Sequence, residues 1–302
     1  MDASIIITTF RRSHFLTRAI DSVLLQNTNY KYEIIIIDDN GLETQNQLLT
    51  RKTIDKYILY NQIQYYPLEI NKGACYARNY GVSKAKGNYI FFLDDDDSYE
   101  NSKIQTQMAF MLNHSNLDGC LAPFKRLNAK EEEIKANSNF PVVEDFVNFS
   151  IRGNFFTPML CIKKNKLIEI GGFQEIDRFQ DRFLMLHALK SNLNFACLEQ
   201  PLHIMYEHES DRISSLNISK TIVSLDKIYD FIVLSKNSFS KKEWNMFKIN
   251  DLTIRAIQYY LSKDVKNRLY AIRCYFKICI LDLNMKNCLN FIKSIFNIVR
   301  RR

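Results

Sequence analysis

The sequence predicts an α/β fold, in which helices flank a mostly parallel central sheet and a helical extension forms the C-terminal part of the chain. Three observations lead to this prediction. Short apolar runs alternate with amphipathic segments over residues 4–97, three of these runs end in polar clusters, and the pattern is helical from about residue 215 onward. Alternating strands and helices form right-handed βαβ units, which build a parallel sheet. Ligands bind beyond the carboxyl ends of the strands in such sheets.

Each element follows from its local pattern. Four apolar, β-branched runs that are too short for helices predict buried strands; they span residues 4–8, 33–37, 63–66 and 89–93. Between them, helical spacing of apolar side chains predicts helices from Ser13, which can cap its helix, over 44–57 and over 73–85. Further strands are predicted near 118–124, 156–162 and 195–206, and further helices over 221–234, 244–261 and the C-terminal tail.

The composition excludes several classes of protein. Of the 302 residues, 46% are apolar and 25% are charged, which is typical of a globular protein. No apolar run reaches the roughly 18 residues of a membrane-spanning helix, and the first residues lack the basic segment of a secretory signal. The seven cysteines form no CxxC pair, which argues against a disulfide framework or a zinc site. We therefore expect a cytoplasmic protein with reduced thiols.

The net charge of +8 resides entirely in residues 262–302, which contain ten basic and two acidic residues. This tail is also amphipathic, because Met285, Cys288, Leu289, Ile292, Ile295, Phe296 and Val299 recur at helical spacing. Two interpretations stay open. The tail helix either docks on the body of the protein or binds the anionic inner face of the cell membrane peripherally. Nucleic acid is disfavoured as a partner, because the tail has few aromatic residues for base stacking.

Four consecutive aspartates, residues 94–97, follow the predicted strand 89–93. Like charges this close raise one another's pKa or attract a cation. Carboxylate oxygens are ligands that suit Mg²⁺ or Mn²⁺, and such sites often use one or two carboxylates together with substrate phosphates. The alternative is a solvated acidic loop, which is less expected because a buried strand leads directly into these residues.

A set of stretches is informative when taken together, namely residues 5–10, 19–26, 33–40, 71–81, 85–97 and 171–173. In order and spacing, over about residues 4–210, these stretches resemble glycosyltransferase family 2, a family of inverting enzymes with the GT-A fold. The resemblance implies a nucleotide-sugar transferase domain over residues 1–212. Its donor half would span about 1–114 and its acceptor half about 115–212, followed by a helical region over 213–302.

The resemblance implies a nucleoside pocket lined by Thr8 and Phe10, where many relatives have a tyrosine in place of Phe10. Asp39 would accept a hydrogen bond from the uracil ring, and Arg78 would contact the base or the diphosphate. From the residues alone, Asp39 is also compatible with an Asx turn and Arg78 with a surface ion pair on a helix.

In the acidic cluster, Asp94 and Asp96 are the two acids of the D-x-D pattern. The resemblance makes Asp96 the direct metal ligand, whereas Asp94 and Asp95 would contact the ribose or metal-bound water. We expect Asp97 to cap a helix. His208 matches a position from which a histidine reaches the metal or diphosphate in many relatives, although a lone histidine is often structural.

The catalytic base is assigned by the same resemblance to Asp181, which follows Gly171, Gly172 and Phe173 on the acceptor side. Relatives have an acidic pair at this place, and its first member is Gln180 here. Without that context, Asp181 would be a carboxylate in the first turn of a helix, where the helix dipole favours it.

These residues predict a transferase that moves glucose, galactose or an N-acetylhexosamine from a UDP-sugar to a glycan acceptor. The cationic tail favours an acceptor linked to polyprenyl diphosphate, as in the synthesis of O-antigen or capsule. The alternative is a non-catalytic nucleotide-binding or membrane-scaffolding module with the same fold. A nucleotidyltransferase is disfavoured, because the segment after the first strand, residues 8–12, contains no glycine for a phosphate loop.

Overall fold

The computed structural model describes residues 1–207, 217–261 and 264–299. In chain order, its strands and helices are β1 (Ala3–Thr9), α1 (Ser13–Leu24), β2 (Tyr32–Asp38), α2 (Gln45–Ile54), β3 (Ile63–Pro67), α3 (Ala74–Lys84), β4 (Tyr89–Asp94), β5 (Ser98–Tyr99), α4 (Lys103–Asn113), β6 (Gly119–Leu121), β7 (Phe124–Leu127), α5 (Phe146–Arg152), β8 (Leu160–Lys163), α6 (Lys164–Glu169), α7 (Gln180–Lys190), β9 (Phe195–Cys197), β10 (His203–Tyr206), α8 (Ile218–Val233), α9 (Lys241–Leu261), α10 (Val265–Leu281) and α11 (Met285–Val299). The described chain forms two compact units. The first contains residues 1–145, 153–175 and 180–207, and the second contains 146–152, 176–179, 217–261 and 264–299.

The first unit is built on a seven-stranded sheet with the order β3-β2-β1-β4-β8-β6-β9. Strands β1, β2, β3 and β4 run parallel, whereas β8 runs antiparallel to both β4 and β6. In this register Thr9 pairs with Asp38, and Thr8 pairs with Asp94. The carboxyl ends of β1, β2 and β4 therefore meet at one edge of the sheet, and the predicted α/β class with a mostly parallel sheet is confirmed.

The packing of the core explains why the apolar residues of these strands are consecutive and do not alternate with polar residues. Helices cover both faces of a parallel sheet, so successive side chains are buried on both sides. Ile5, Ile6 and Ile7 of β1 are all fully buried, as is the isoleucine run of β2. Gly87 permits a close approach before β4, because a Cβ atom there would lie 2.4 Å from the backbone carbon of Ala3.

A second sheet of three strands, β5-β10-β7, lies in the same unit. Strand β10 pairs antiparallel with β5 and parallel with β7. The predicted strands near 118–124 and 195–206 are each divided between the two sheets. Pro123 and Pro201 lie at the breaks, and because proline has no N–H to donate to a ladder, a strand ends there.

The second unit contains helices α5 and α8 to α11, which confirms the helical C-terminal extension. Its aromatic side chains pack together, with Phe239 5.4 Å and Phe247 5.1 Å from Trp244 between ring centroids. Among the residues that the structure describes, no helix is both long and apolar enough to span a membrane. The predicted domain boundary at residue 212 lies outside the described residues and stays a prediction.

Candidate active site

The site forms where the carboxyl ends of β1, β2 and β4 meet. Thr8 lies half-buried beside Asp94, its partner in the register. Phe10 follows the end of β1 and is half-buried, and the guanidinium carbon of Arg11 lies 4.7 Å from the centroid of its ring. Thr8 and Phe10 therefore lie at the edge where a nucleoside pocket was predicted, and their contact with a nucleoside stays a prediction.

Asp39, just after β2, is buried and accepts hydrogen bonds from the loop that precedes α3. Its Oδ1 accepts from the backbone N–H of Lys72 over 2.7 Å, and its Oδ2 accepts from the N–H of Gly73 and from Nδ2 of Asn71, both over 2.9 Å. Gly73 has a φ of +84°, which favours glycine. Burial raises the pKa of Asp39, and the loop hydrogen bonds oppose that rise. The carboxylate thus holds the loop in place; its predicted contact with uracil stays a prediction.

The acidic residues after β4 are compensated by arginines from neighbouring elements. Oδ1 of Asp94 lies 3.0 Å from Nη2 of Arg78. Arg12, just before α1, forms an ion pair with Oδ2 of Asp96, and its Nη1 lies 3.7 Å from Oδ1 of Asp95. The charge of the cluster is therefore neutralised by guanidinium groups of the chain itself, which the sequence interpretation did not anticipate.

A third arginine supports the backbone of the same loop. Nη2 of Arg18, on α1, donates to the backbone carbonyl of Asp96, and its guanidinium carbon lies 3.5 Å from the centroid of the Tyr206 ring. The backbone N–H of Tyr206 donates to Oδ1 of Asp97 over 3.3 Å. The prediction that Asp97 caps a helix is wrong, because β5 follows it directly and its carboxyl group binds β10 instead.

The pKa values of the cluster follow from burial. Burial, together with the neighbouring Asp96, raises the pKa of Asp95 to about 8. Burial also raises the pKa of Asp97 well above its ordinary value. Two buried acids with raised pKa values alternate with two more exposed acids that pair with arginine. This alternation is how four consecutive aspartates are accommodated.

Within residues 1–207, 217–261 and 264–299, no three His, Cys, Asp or Glu side chains are arranged to hold a metal ion. The chemistry of the acidic loop nevertheless fits a hard cation, since the partly exposed carboxylate of Asp96 offers oxygen ligands. One such carboxylate, with diphosphate oxygens, is a common donor set for Mg²⁺. His208, the second predicted metal ligand, lies outside the described residues.

Arg78 lies on α3 between the acidic loop and the segment that contains the predicted base. Besides its ion pair with Asp94, its Nη1 donates to Oε1 of Gln180 over 2.8 Å. Its guanidinium carbon lies 5.3 Å from the centroid of the Phe173 ring. Arg78 is only 8% exposed, so the alternative of a helix-surface ion pair does not describe it. Its predicted contact with the base or diphosphate stays a prediction.

Asp181 is in the first turn of α7, beside Gln180. Its Oδ1 accepts a hydrogen bond from the hydroxyl of Thr157, which begins the 3-10 turn Thr157–Met159. Burial raises the pKa of Asp181, whereas the charge of Arg78 and the Thr157 hydrogen bond lower it. The charge of Asp94 raises it further. The structure therefore brings Asp181 and Asp94 together around Arg78.

Three residues of the site were missed by the sequence interpretation. Arg12 and Arg18 follow β1, whose end pairs in register with the end of β4, so the strand-end rule could have identified them. Thr157 had no such signal, because a short turn far from the other site residues in sequence places it beside Asp181.

Comparisons with known proteins show which family the chain is similar to. The family model of Glycosyl transferase family 2 matches residues 4–181. An uncharacterized glycosyltransferase of Haemophilus influenzae is 28% identical over 242 residues, which cover 80% of this chain and 88% of that protein. An uncharacterized glycosyltransferase of Rickettsia felis is 35% identical over 133 residues, and the match covers 44% of this chain but only 21% of that longer protein.

Two further similarities are to a protein named for teichoic acid biosynthesis and to a solved structure with a bound nucleotide sugar. The minor teichoic acid biosynthesis protein GgaA of Bacillus subtilis is 28% identical over 285 residues, which cover 88% of this chain and 59% of that protein. The crystal structure of S. aureus TarS 1-349 in complex with UDP-GlcNAc superposes with a TM-score of 0.70 at 17% identity, over 93% of this chain and 81% of that chain. The latter similarity confirms the GT-A fold.

Proposed function

The chain belongs to glycosyltransferase family 2, and from this premise we propose that it transfers a hexose from a UDP-sugar to a glycan acceptor with inversion. The observation that supports the proposal best is the arrangement around Arg78, which joins the acidic loop to the helix that contains Asp181. Inverting transfer needs charge stabilisation on the departing nucleoside diphosphate and a base for the acceptor hydroxyl. A metal ion at the acidic loop and Asp181, both in the first unit, would supply these two functions.

The donor would bind at the edge formed by β1, β2 and β4. Thr8 and Phe10 would contact the nucleoside, and Asp39 would accept from the uracil ring while it holds the loop before α3. A UDP-sugar donor is supported by the similarity to TarS, whose structure contains UDP-GlcNAc. The hexose would be glucose, galactose or an N-acetylhexosamine.

Departure of UDP needs positive charge beside the diphosphate. Asp96 would hold a Mn²⁺ or Mg²⁺ ion together with the diphosphate, with His208 as a second proposed ligand. When bound, this ion would neutralise the charge that develops on the leaving group. Asp94 and Asp95 would contact the ribose or metal-bound water, and Arg78 would contact the base or diphosphate from its buried position.

Asp181 would act as the general base. As an acceptor hydroxyl oxygen attacks the anomeric carbon, the bond from that carbon to the diphosphate oxygen breaks, and its electron pair leaves with UDP. The hydroxyl proton passes to Asp181. Burial raises the pKa of this carboxyl group, which brings it nearer to the operating pH and makes it a stronger base.

The acceptor is proposed to be a growing bacterial surface polymer. Relatives such as GgaA have names that refer to teichoic acid biosynthesis, and an intermediate of O-antigen or capsule synthesis linked to polyprenyl diphosphate is the acceptor class that we favour. Such a lipid-linked acceptor would require the protein to lie at the inner face of the cell membrane.

Helices α10 and α11 support that location. Phe276 packs against Phe291, with ring centroids 5.6 Å apart, so the two helices contact one another. Leu289 and Ile292 are exposed on α11 beside the exposed Lys286 and Lys293. Exposed apolar side chains flanked by lysines are what an anionic membrane surface binds.

A comparison of variants tests the proposed activity. Release of UDP would be measured with a panel of UDP-sugars, a lipid-diphosphate-sugar acceptor panel and Mn²⁺ or Mg²⁺. We expect Asp181→Asn and Asp96→Ala each to lower kcat by about 100-fold or more. Asp55→Asn is the matched control, because this aspartate of the first unit is exposed and forms an ion pair with the surface residue Arg51.

The alternative function predicts a different result. If no donor reacted with or without metal, the chain would be a non-catalytic nucleotide-binding or scaffolding module. Retained UDP binding in such an inactive protein would identify that second function. If the Asp181 and Asp96 variants transferred sugar as well as the parent, the roles assigned to these two residues would be wrong.

A further inference from the structure

The carboxylate that the proposed function assigns to a metal ion already has a cation of the chain bound to it. Arg12 pairs with Oδ2 of Asp96, and its Nη1 also lies 3.7 Å from Oδ1 of Asp95. A divalent cation bound to the same carboxylate would lie close to the Arg12 guanidinium and would be repelled by its like charge. Binding of a metal ion by Asp96 is therefore in competition with the Arg12 ion pair.

The loop that positions Arg12 is anchored at its backbone. Arg11 has a φ of +60°, and its N–H donates to Oδ1 of Asn40 over 2.8 Å. This contact ties the segment after β1 to the turn after β2. Because the backbone is held there, the Arg12 side chain begins at a fixed point beside the acidic loop.

The side chain of Arg12 can leave its ion pair with Asp96. Arg12 is 20% exposed and Asp96 is 18% exposed at the side chain, so both groups reach solvent at the rim of the site. Asp95 is more deeply buried, with its side chain only 7% exposed, and its Oδ1 lies farther from Arg12 than Oδ2 of Asp96 does. The carboxylate that Arg12 and a metal ion would share is therefore chiefly that of Asp96.

We propose that Arg12 is an exchangeable cation that neutralises Asp96 when no donor is bound and competes with the divalent metal ion for that carboxylate. This inference rests on the proposed metal-assisted transfer. It makes Arg12 a positioning residue that neutralises the negative charge of the acidic loop when no metal ion is bound. It also implies that the protein alone binds metal weakly, because the metal ion must compete with the ion pair.

Titration of the full chain with Mn²⁺ alone, followed by the electron paramagnetic resonance signal of free Mn²⁺, tests the competition without nucleotide or turnover. Arg12→Gln should bind Mn²⁺ about two- to fivefold more tightly than the parent, which is the upper part of the range for loss of one partly exposed ion pair. The gain should vanish when Arg12→Gln is combined with Asp96→Asn. Arg51→Gln removes the same charge from an exposed pair on α2 and should leave Mn²⁺ binding unchanged.

Two results would overturn the inference in different ways. If the parent binds Mn²⁺ through Asp96 but Arg12→Gln binds it equally or more weakly, Arg12 does not compete, and the proposed function stands. If no variant shows Mn²⁺ binding that depends on Asp96, the inference fails, whereas the proposed function, in which the diphosphate also binds the metal ion, is tested separately by the activity of Asp96→Ala. Thermal unfolding of each variant is the control that checks whether the compared proteins are folded.

Discussion

Nη2 of Arg78 lies 3.0 Å from Oδ1 of Asp94. The other terminal nitrogen of the same guanidinium donates to Gln180, the neighbour of Asp181 in sequence. One buried arginine therefore connects a residue of the donor side with the segment that contains the proposed base. Relatives with an acidic pair would have a second carboxylate where this chain has Gln180, and here the neutral amide leaves Asp181 as the one acid of that pair.

Replacement of Arg78 should change the pH dependence of the reaction. The charge of Arg78 lowers the pKa of Asp181, so Arg78→Gln should raise that pKa. A base works only when it is deprotonated, and the acid limb of the kcat/KM profile should therefore move to higher pH. Because the alignment of the base is also disturbed, we expect kcat/KM on the plateau to fall by about 10- to 100-fold.

The conservative variant separates charge from geometry. Arg78→Lys keeps a positive charge but lacks the second donor that joins Asp94 to Gln180. Its acid limb should stay near that of the parent while its plateau rate is reduced. An acid limb that does not move in Arg78→Gln would show that Arg78 has no electrostatic effect on Asp181.

Asp39→Asn should weaken both the fold and nucleotide binding. The carboxylate accepts hydrogen bonds from three N–H groups of residues 71–73, and an amide offers one oxygen in place of two. At least one N–H donor then loses its acceptor, which lowers the free energy of unfolding by about 1–3 kcal/mol. Thermal unfolding should show a lower Tm, and calorimetric titration should show weaker UDP binding. An unchanged Tm with weaker UDP binding would mean that Asp39 acts on the ligand alone.

The buried Lys103 on α4 should make stability depend on pH. It is fully buried, and burial lowers its pKa to about 7, whereas the unfolded chain keeps the ordinary value of about 10.4. Between these two values the unfolded state binds more protons, so the contribution of Lys103 to the free energy of unfolding rises with pH from about 7 to about 10.

Lys103→Met should consequently stabilise the protein most below pH 7, with a gain that shrinks toward pH 10. The side chain donates to Oε1 of Gln107 over 2.6 Å, and loss of this hydrogen bond offsets part of the gain. Chemical denaturation at pH 6, 8 and 10 measures the trend. If Lys103→Met and the parent differed in free energy of unfolding by the same amount at all three pH values, the lowered pKa of Lys103 would be contradicted.

The fold was largely predictable because its signals are local. Apolar runs that are buried on both faces predicted β1 to β4, and the rule for strand ends predicted where Asp39 and Asp94 would lie. The cation that neutralises Asp96 was not predicted, since the pairing of Arg12 with Asp96 depends on the register of β1 against β4. Likewise, the hydrogen bond between Thr157 and Asp181 joins segments whose proximity no local pattern encodes.

Removal of residues 285–302 should weaken binding to anionic vesicles and make the remaining binding less sensitive to salt. Each basic residue near such a surface contributes about 1 kcal/mol, and salt screens that attraction. Sedimentation with vesicles that contain anionic lipid, at low and high salt, measures both effects. Vesicles of neutral lipid should bind the parent and the truncated chain equally weakly.

A pair of point variants makes the same test without deleting a helix. Leu289→Ser with Ile292→Ser removes two exposed apolar side chains of α11, whereas Leu25→Ser with Leu42→Ser removes similarly exposed side chains from the first unit. Only the former pair should reduce sedimentation, because Leu25 and Leu42 have no lysine or arginine within three residues in sequence. Equal sedimentation of both pairs and the parent would refute membrane binding through α11 and favour the docking of this helix on the protein itself.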